Sequence, residues 1–274
     1  MATSRPVLCG SIAGRPGRFG VAMHSAAFRA LGLDYAYVAF GCEDTAGAVT
    51  GMRALGLRGL GVTMPHKQTI AAFLDDLAPD ARAIGAVNTV VNDGGRLVGH
   101  NVDWAGAIEA FREVGLEPRG LNAAVVGAGG GARAIAYGLV QAGACVRIFN
   151  RDPARGRDVA DALDCIYAGP PEEVACSGPL DLLVHATPVG FHDPDTMLPL
   201  AGALRDGVCV FDAVPMPIET RLLREARARG CRTIAGVRMQ LHQAARQFEL
   251  YTGRAAPLAV MAQALANAIA QPGG

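Results

Sequence analysis

At 274 residues the chain is long enough for one large or two modest domains with real hydrophobic cores, without disulfide or metal staples. Its 25 basic side chains balance 25 acidic ones, a charge state that exerts little pull on phosphate backbones or anionic lipid, so nucleic acid and membranes are poor partners. Seven cysteines without a Cys-x-x-Cys pair, several of them inside apolar runs such as Cys145 and Cys209, read as free buried thiols in a reducing compartment, and six scattered histidines offer no metal-ligand spacing.

The predicted elements alternate strand and helix almost throughout, the mark of an α/β protein with parallel sheets. VLCGSI at 7–12 predicts a strand and 21–31 a helix; YAYVAF at 35–40 and LGVTM at 60–64 predict further strands, with a helix over 43–54 between them. Pro65 predicts a helix-opening turn, because a first-turn residue has no use for an N–H. The stretches 86–91 and 96–101 flank Asn92-Asp93-Gly94-Gly95, a hairpin turn. After Pro118-Arg119-Gly120 the alternation restarts, with four strands predicted in NAAVVG, CVRIFN, DLLVHA and VCVFDA. The arginine-rich stretch 221–232 has helical spacing and reads as a solvated face. Helices over 240–251 and 257–269 close the chain, and the tail QPGG is expected to fray.

This organisation predicts two domains. Residues 1–105 with 238–274 form one, the closing helices returning to it, and 106–237 form a Rossmann-type nucleotide domain, with a small-molecule cleft between the two. The N-terminal MATSRPVLCGS lacks a secretory apolar segment and no run reaches membrane-spanning length, so the expected location is the cytoplasm.

The strongest local signal is Gly127-Ala128-Gly129-Gly130-Gly131-Ala132, directly after an apolar strand and opening a helix. There Gly127 permits a tight turn, Gly129 lets backbone N–H groups approach a pyrophosphate, and Ala132 keeps helix and strand close. A plain βα turn rich in small residues is the alternative. The following strand ends in Asn150-Arg151-Asp152-Pro153-Ala154-Arg155 rather than in the lone acidic residue of an NAD site. Guanidinium groups attract a 2′-phosphate, each charge pair worth roughly 4 kcal/mol before desolvation, so NADP is the expected cofactor. Asp152 either caps the next helix or reaches the ribose.

In the first domain GVTMPHK, AVNTV and GHNVD place polar groups at strand ends, where open α/β sheets bind ligands. Lys67 and Asp103 read either as a proton-transfer pair for a secondary alcohol or as a surface lysine and a helix cap.

VTMPHK, GAVNTVV, GHNVDWAG, GAGGGARA, NRDPAR, HATPVG and GVRMQLHQAARQFELYTG, in that order, resemble the shikimate dehydrogenase family from Val7 to about Ala270. The resemblance implies a two-domain α/β fold and NADP-dependent interconversion of shikimate and 3-dehydroshikimate. By it, Lys67 and Asp103 are the catalytic pair and Thr63, Asn88 and Gln243 hold substrate hydroxyls. Gly127, Ala128, Gly129, Gly130 and Gly131 cradle the pyrophosphate; Asn150, Arg151 and Arg155 take the adenosine ribose phosphate; Ala213 and Gly236 lie at the nicotinamide. Two departures stand out: the Ser-x-Ser pair that holds the substrate carboxylate in the family is replaced by Arg18 and Gly20, and its tyrosine by Pro215. With GRPxxFG and DAVPMPIET, these resemble the shikimate dehydrogenase-like subgroup. Arg18 either replaces the lost hydroxyls or faces solvent. The expected partner is a small cyclic hydroxy acid, to a monomer or homodimer. Quinate or an aminated analogue as substrate, or a non-catalytic NADP-binding sensor, are the other readings.

Overall fold

The computed structural model describes residues 5–271. The expected fraying of 272–274, and residues 1–4 of the N-terminal stretch, lie outside them. Among the described residues the chain divides into two compact units, one holding the chain up to Val102 and again from Leu241, the other Asp103–Gln240.

In the first unit the apolar runs form β1 (Val7–Ala13), α1 (Phe19–Ala30), β2 (Tyr35–Gly41), α2 (Thr45–Leu55), β3 (Gly59–Val62), a 3₁₀ turn (Ile70–Phe73), β4 (Asp76–Leu77), α3 (Pro79–Ile84), β5 (Thr89–Asp93) and β6 (Arg96–His100). They build a mixed sheet in the order β2-β1-β3-β5-β6-β4, with β1 parallel to β2 and β3, and β5 antiparallel to β3 and β6. The hairpin forms where the sequence places it. Asp93 pairs with Arg96, and the two residues between them, Gly94 and Gly95, both take positive φ (62° and 99°), which suits a tight hairpin turn. The Asp44 carboxylate starts α2 by accepting the Gly47 N–H at 2.9 Å.

The second unit contains α4 (Asp103–Glu113), β7 (Asn122–Val126), α5 (Gly130–Gln141), β8 (Cys145–Phe149), α6 (Pro153–Ala162), β9 (Ile166–Tyr167), β10 (Leu182–His185), β11 (Cys209–Asp212), α7 (Arg221–Ala228) and β12 (Arg232–Ala235). Its sheet is parallel throughout, in the order β12-β11-β10-β7-β8-β9, so strand order reverses between β7 and β10. Alternate residues bury on opposite faces. Val125, Ile148, Val184 and Phe211 pack with Phe111 and Ile135 on one side, while Val126, Leu183 and Val210 pack with Leu222 and Leu223 on the other. The arginines of α7 are exposed and paired with Glu219, Glu225 and Asp195, a solvated face as its spacing predicts.

Helix α8 (Gly236–Thr252) starts in the second unit and ends in the first, and α9 (Leu258–Ala270) packs on α1. No helix among the described residues is long and apolar enough to cross a membrane.

Three expectations change. The Met64–Pro65 peptide is cis and Pro65 opens no α-helix, because the Lys67 carbonyl accepts the Val87 N–H at 2.7 Å instead of a helical partner. Cys145 is exposed at the first position of β8, whereas Cys209 is buried. Strands β4, β9 and β12 are additional: two of them have only two residues, too few for any periodicity, and β12 begins inside the arginine-rich stretch.

Beneath the first sheet lies an aromatic layer. The His24 ring stacks on Tyr37 at 4.3 Å, and Phe28 meets Phe248 at 5.4 Å, the two phenylalanines fully buried and each worth roughly 1.5–3 kcal/mol of transfer free energy. Neither His24 ring nitrogen has a hydrogen bond of good geometry; burial pushes its pKa down to about 4, opposed only in part by the nearby Gln247 side chain. A depressed imidazole pKa means that the unfolded chain binds the extra proton. Stability from this group is therefore complete above pH 6.5 and falls between 6.5 and about 4. Urea titrations over that window should show a loss of roughly 3 kcal/mol attributable to His24, and His24→Phe should flatten it; an unchanged pH slope in the variant contradicts this assignment.

Candidate active site

In the first unit Thr63 and Asn88 lie at the ends of β3 and β5, and buried Asn88 bonds to backbone next to several sequence-predicted residues. Asn88, with no exposure, accepts the Val62 N–H on its carbonyl at 2.7 Å and donates its own N–H to the His100 carbonyl at 3.0 Å. Its side-chain Oδ1 accepts the Val102 N–H at 2.8 Å and the Thr89 hydroxyl at 2.9 Å. Thr63 follows Val62 and is exposed; Asp103 follows Val102 and is buried in the first turn of α4, where a carboxylate suits the helix dipole. Lys67 is half-buried in a turn whose backbone is bonded to Val87, the neighbour of Asn88.

That turn is itself anchored. His66 is buried; its Nδ1 lies 2.8 Å from the Thr45 hydroxyl and its Nε2 2.8 Å from the Cys42 carbonyl. Gln243 is half-buried on α8, and one turn later Gln247 donates to the Asn88 carbonyl (3.2 Å) and the Thr89 hydroxyl (3.0 Å). Gln247 is a residue that sequence reasoning missed. Its four-residue spacing from Gln243 is the signal, since both fall on one helix face.

Arg18 is exposed and donates to the Gln271 carbonyl at 2.6 Å, with its guanidinium 6.0 Å from the Phe19 ring centroid. Gly20 faces the Tyr37 ring, which an added Cβ would meet at 3.5 Å. Pro215 is half-buried after β11.

In the second unit, Gly127 leaves β7 at φ 127°, and a Cβ there would lie 2.7 Å from the Ala186 carbonyl oxygen. Only glycine makes this turn. Ala128 is buried; Gly129 is the N-cap of α5 without a side-chain cap, and Gly130 and Gly131 follow. A Cβ at Gly129 or Gly131 would meet no protein atom within 4 Å, so protein packing does not demand these two glycines. Ala213 follows β11, and a Cβ at Gly236 would come within 2.7 Å of its carbonyl.

The stretch after β8 is fixed around exposed arginines. Asn150 donates to the Asp152 carbonyl at 2.8 Å and accepts the Tyr167 hydroxyl at 3.1 Å, and Asp152 caps α6 by accepting the N–H groups of Ala154 (3.0 Å) and Arg155 (3.3 Å). The carboxylate is thus occupied as a cap, one of the two roles open to it in the sequence. Arg151 and Arg155 are exposed. Arg133, on the first turns of α5, was missed: burial lowers its pKa first, the neighbouring Arg155 charge second, and its guanidinium pairs with Asp158. Its position inside GAGGGARA was the available signal. Among the described residues no group of three or more His, Cys, Asp or Glu could hold a metal ion.

The profile described as shikimate dehydrogenase substrate binding domain matches residues 19–90, and that described as shikimate 5′-dehydrogenase C-terminal domain matches 236–266. Shikimate dehydrogenase (NADP(+)) of Moorella thermoacetica is 41% identical over 267 residues, covering 92% of this chain and 90% of the relative. Among solved structures, shikimate 5-dehydrogenase of Thermus thermophilus in complex with NADP(H) and shikimate is 34% identical with a TM-score of 0.88, over 96% of this chain and 99% of that one. The ligand-free 5-ketofructose reductase of a Gluconobacter species is 35% identical with a TM-score of 0.84, over 97% and 99%. The chain belongs to the shikimate dehydrogenase family, a family of oxidoreductases.

The capping role of Asp152 is testable. Asp152→Ala should cost about 1 kcal/mol and Asp152→Asn a few tenths, read as the shift in urea midpoint; equal stability for all three proteins contradicts it.

Proposed function

We propose that the chain is an NADP-dependent dehydrogenase that interconverts shikimate and 3-dehydroshikimate or a close cyclic hydroxy acid pair. In this reading Asp103–Gln240 is the nucleotide unit and the remainder binds substrate. The observation that supports it most is the Gly127 turn, which opens an uncapped helix at the point where strand order reverses, together with an arginine-rich strand end whose only carboxylate is engaged as a helix cap. These residues fit a dinucleotide: the first-turn N–H groups of α5 bind pyrophosphate, and Arg151 and Arg155 bind the 2′-phosphate with Asn150 holding the loop. Ala213 and Gly236 line the nicotinamide end.

Bound there, NADP would supply the hydride-accepting nicotinamide for oxidation of the substrate's carbinol carbon, and NADPH the hydride for the reverse reduction. Lys67 takes the hydroxyl proton as the carbonyl forms and gives it back in reduction, with Asp103 as its carboxylate partner in the proton-transfer pair. Thr63, Asn88 and Gln243 hydrogen-bond the remaining hydroxyls and fix the ring. This proposed proton-transfer set favours an enzyme over a non-catalytic NADP sensor, which has no use for it.

A second reading keeps the chemistry and changes the substrate to a polyhydroxylated molecule without a carboxylate. It is favoured by the engagement of Arg18 with Gln271, by the absence of a hydroxyl at Gly20 and Pro215, and by likeness to a 5-ketofructose reductase. Nicotinamide absorbance with shikimate, quinate and neutral polyols decides: the first reading expects the highest kcat/KM with shikimate, and a polyol preference replaces it.

Two variants test the roles. Lys67→Ala should lower kcat by about 10²–10⁴-fold with NADP affinity unchanged; turnover near wild type removes Lys67 from proton transfer. The double variant Arg151→Ala, Arg155→Ala should raise the KM for NADP by about 10–100-fold and leave that for NAD unmoved; equal losses for both cofactors contradict 2′-phosphate recognition.

A further inference from the structure

A buried polar chain underlies the ends of β10 and β11 and is used by none of the roles above. Asp212, unexposed at the end of β11, accepts His185 Nδ1 at 2.9 Å and the Val214 N–H at 3.1 Å on Oδ1, and the Thr220 hydroxyl at 2.5 Å on Oδ2. His185, 3% exposed at the end of β10, places its Nε2 at 2.5 Å from the Thr187 hydroxyl. Because the carboxylate accepts, Nδ1 carries a proton; in the neutral ring Nε2 is then the acceptor, and the Thr187 hydroxyl donates to it. The same hydroxyl oxygen accepts the Val189 N–H at 3.3 Å, so the turn after β10 is held from both sides.

The place of this chain in the sheet gives it a consequence. Register pairs Val126, His185 and Asp212, the last residues of β7, β10 and β11, in one row. β7 and β10 are the two strands between which the order reverses, and ligands of open parallel sheets bind beyond the strand ends at that point. The Thr187 methyl lies 3.4 Å from where a Cβ of residue 127 would be, directly against the glycine turn. The backbone that Asp212 holds at Val214 lies close against Gly236, where an added Cβ would fall 2.7 Å from the Val214 carbonyl oxygen.

We infer that His185 and Asp212 are positioning residues that fix Thr187 and the turn behind it as the floor of the dinucleotide site, so that nucleotide affinity depends on a hydrogen-bond chain that does not itself touch the phosphates. The inference rests on the proposed use of NADP. The histidine ring suits the task because one rigid side chain donates to a carboxylate on one strand and accepts from a hydroxyl on the next turn, a pairing that an apolar residue of equal volume cannot supply.

The test is equilibrium binding of NADP, followed by protein fluorescence, beside steady-state turnover with shikimate. Thr187→Val keeps the shape and removes the hydroxyl: NADP should bind about fivefold or more weakly, with the KM for shikimate unchanged. Thr187→Ser should restore wild-type binding. His185→Gln, which retains a donor and an acceptor, should bind NADP more tightly than His185→Phe. Wild-type NADP affinity in Thr187→Val, or equal weakening in Thr187→Ser and Thr187→Val, overturns the inference. A wild-type protein that binds no NADP would instead sink the proposed function, so the two failures are distinguishable.

Discussion

One buried amide organises the first unit. Asn88 uses its carbonyl, its N–H and its side-chain oxygen to hold Val62, His100, Thr89 and Val102, and Gln247 adds a further bond from α8. Thr63 and Asp103 each follow a residue bound directly to Asn88, and Lys67 is tied through Val87. A buried, unsatisfied polar group costs roughly 1–3 kcal/mol, so loss of this side chain strips the Val102 N–H and the Thr89 hydroxyl of their shared acceptor, while the backbone bonds to Val62 and His100 remain. In the proposed function Asn88 therefore has two tasks: it meets substrate, and it sets where the neighbouring strand ends present their own groups.

In the proposed function the second unit solves a different problem, that of bringing a backbone close to a dianionic ligand. Its sheet is covered on both faces, so binding groups can only emerge at strand ends. Gly127 turns the chain where any side chain would strike the Ala186 carbonyl, and α5 begins without a side-chain cap. The neighbouring strand end supplies cations, and on α5 burial first and the Arg155 charge second hold the Arg133 pKa below its usual value. A bound anion near Arg133 and Arg155 would offset that repulsion, which accords with the NADP reading.

Much of this was legible in the residues. Alternation of apolar runs gave both sheets, the hairpin at Gly94-Gly95 and the glycine turn at Gly127, because each depends on local backbone preference. Pro65 misled: its helix-opening tendency is local, but the path of the chain there is set by hydrogen bonds to Val87 and by buried His66, which are long-range. The same holds for Gln247 and for the His185–Asp212–Thr187 chain, whose members are ordinary residues until strand register brings them together. Asp152 shows the opposite case: Asp-Pro before a helix is a capping signal, and α6 starts as that signal implies. The substrate-carboxylate end remained the least legible, since Arg18, Gly20 and Pro215 depart from the family pattern and Arg18 takes a bond to Gln271 that no spacing predicts.

The most direct test of the Asn88-centred framework is the steady-state oxidation of shikimate by Asn88→Ala, with NADP binding measured on the same preparation. The account predicts that kcat/KM for shikimate falls by about a hundredfold or more while NADP affinity is retained. A variant that turns over shikimate as well as the wild type would contradict it.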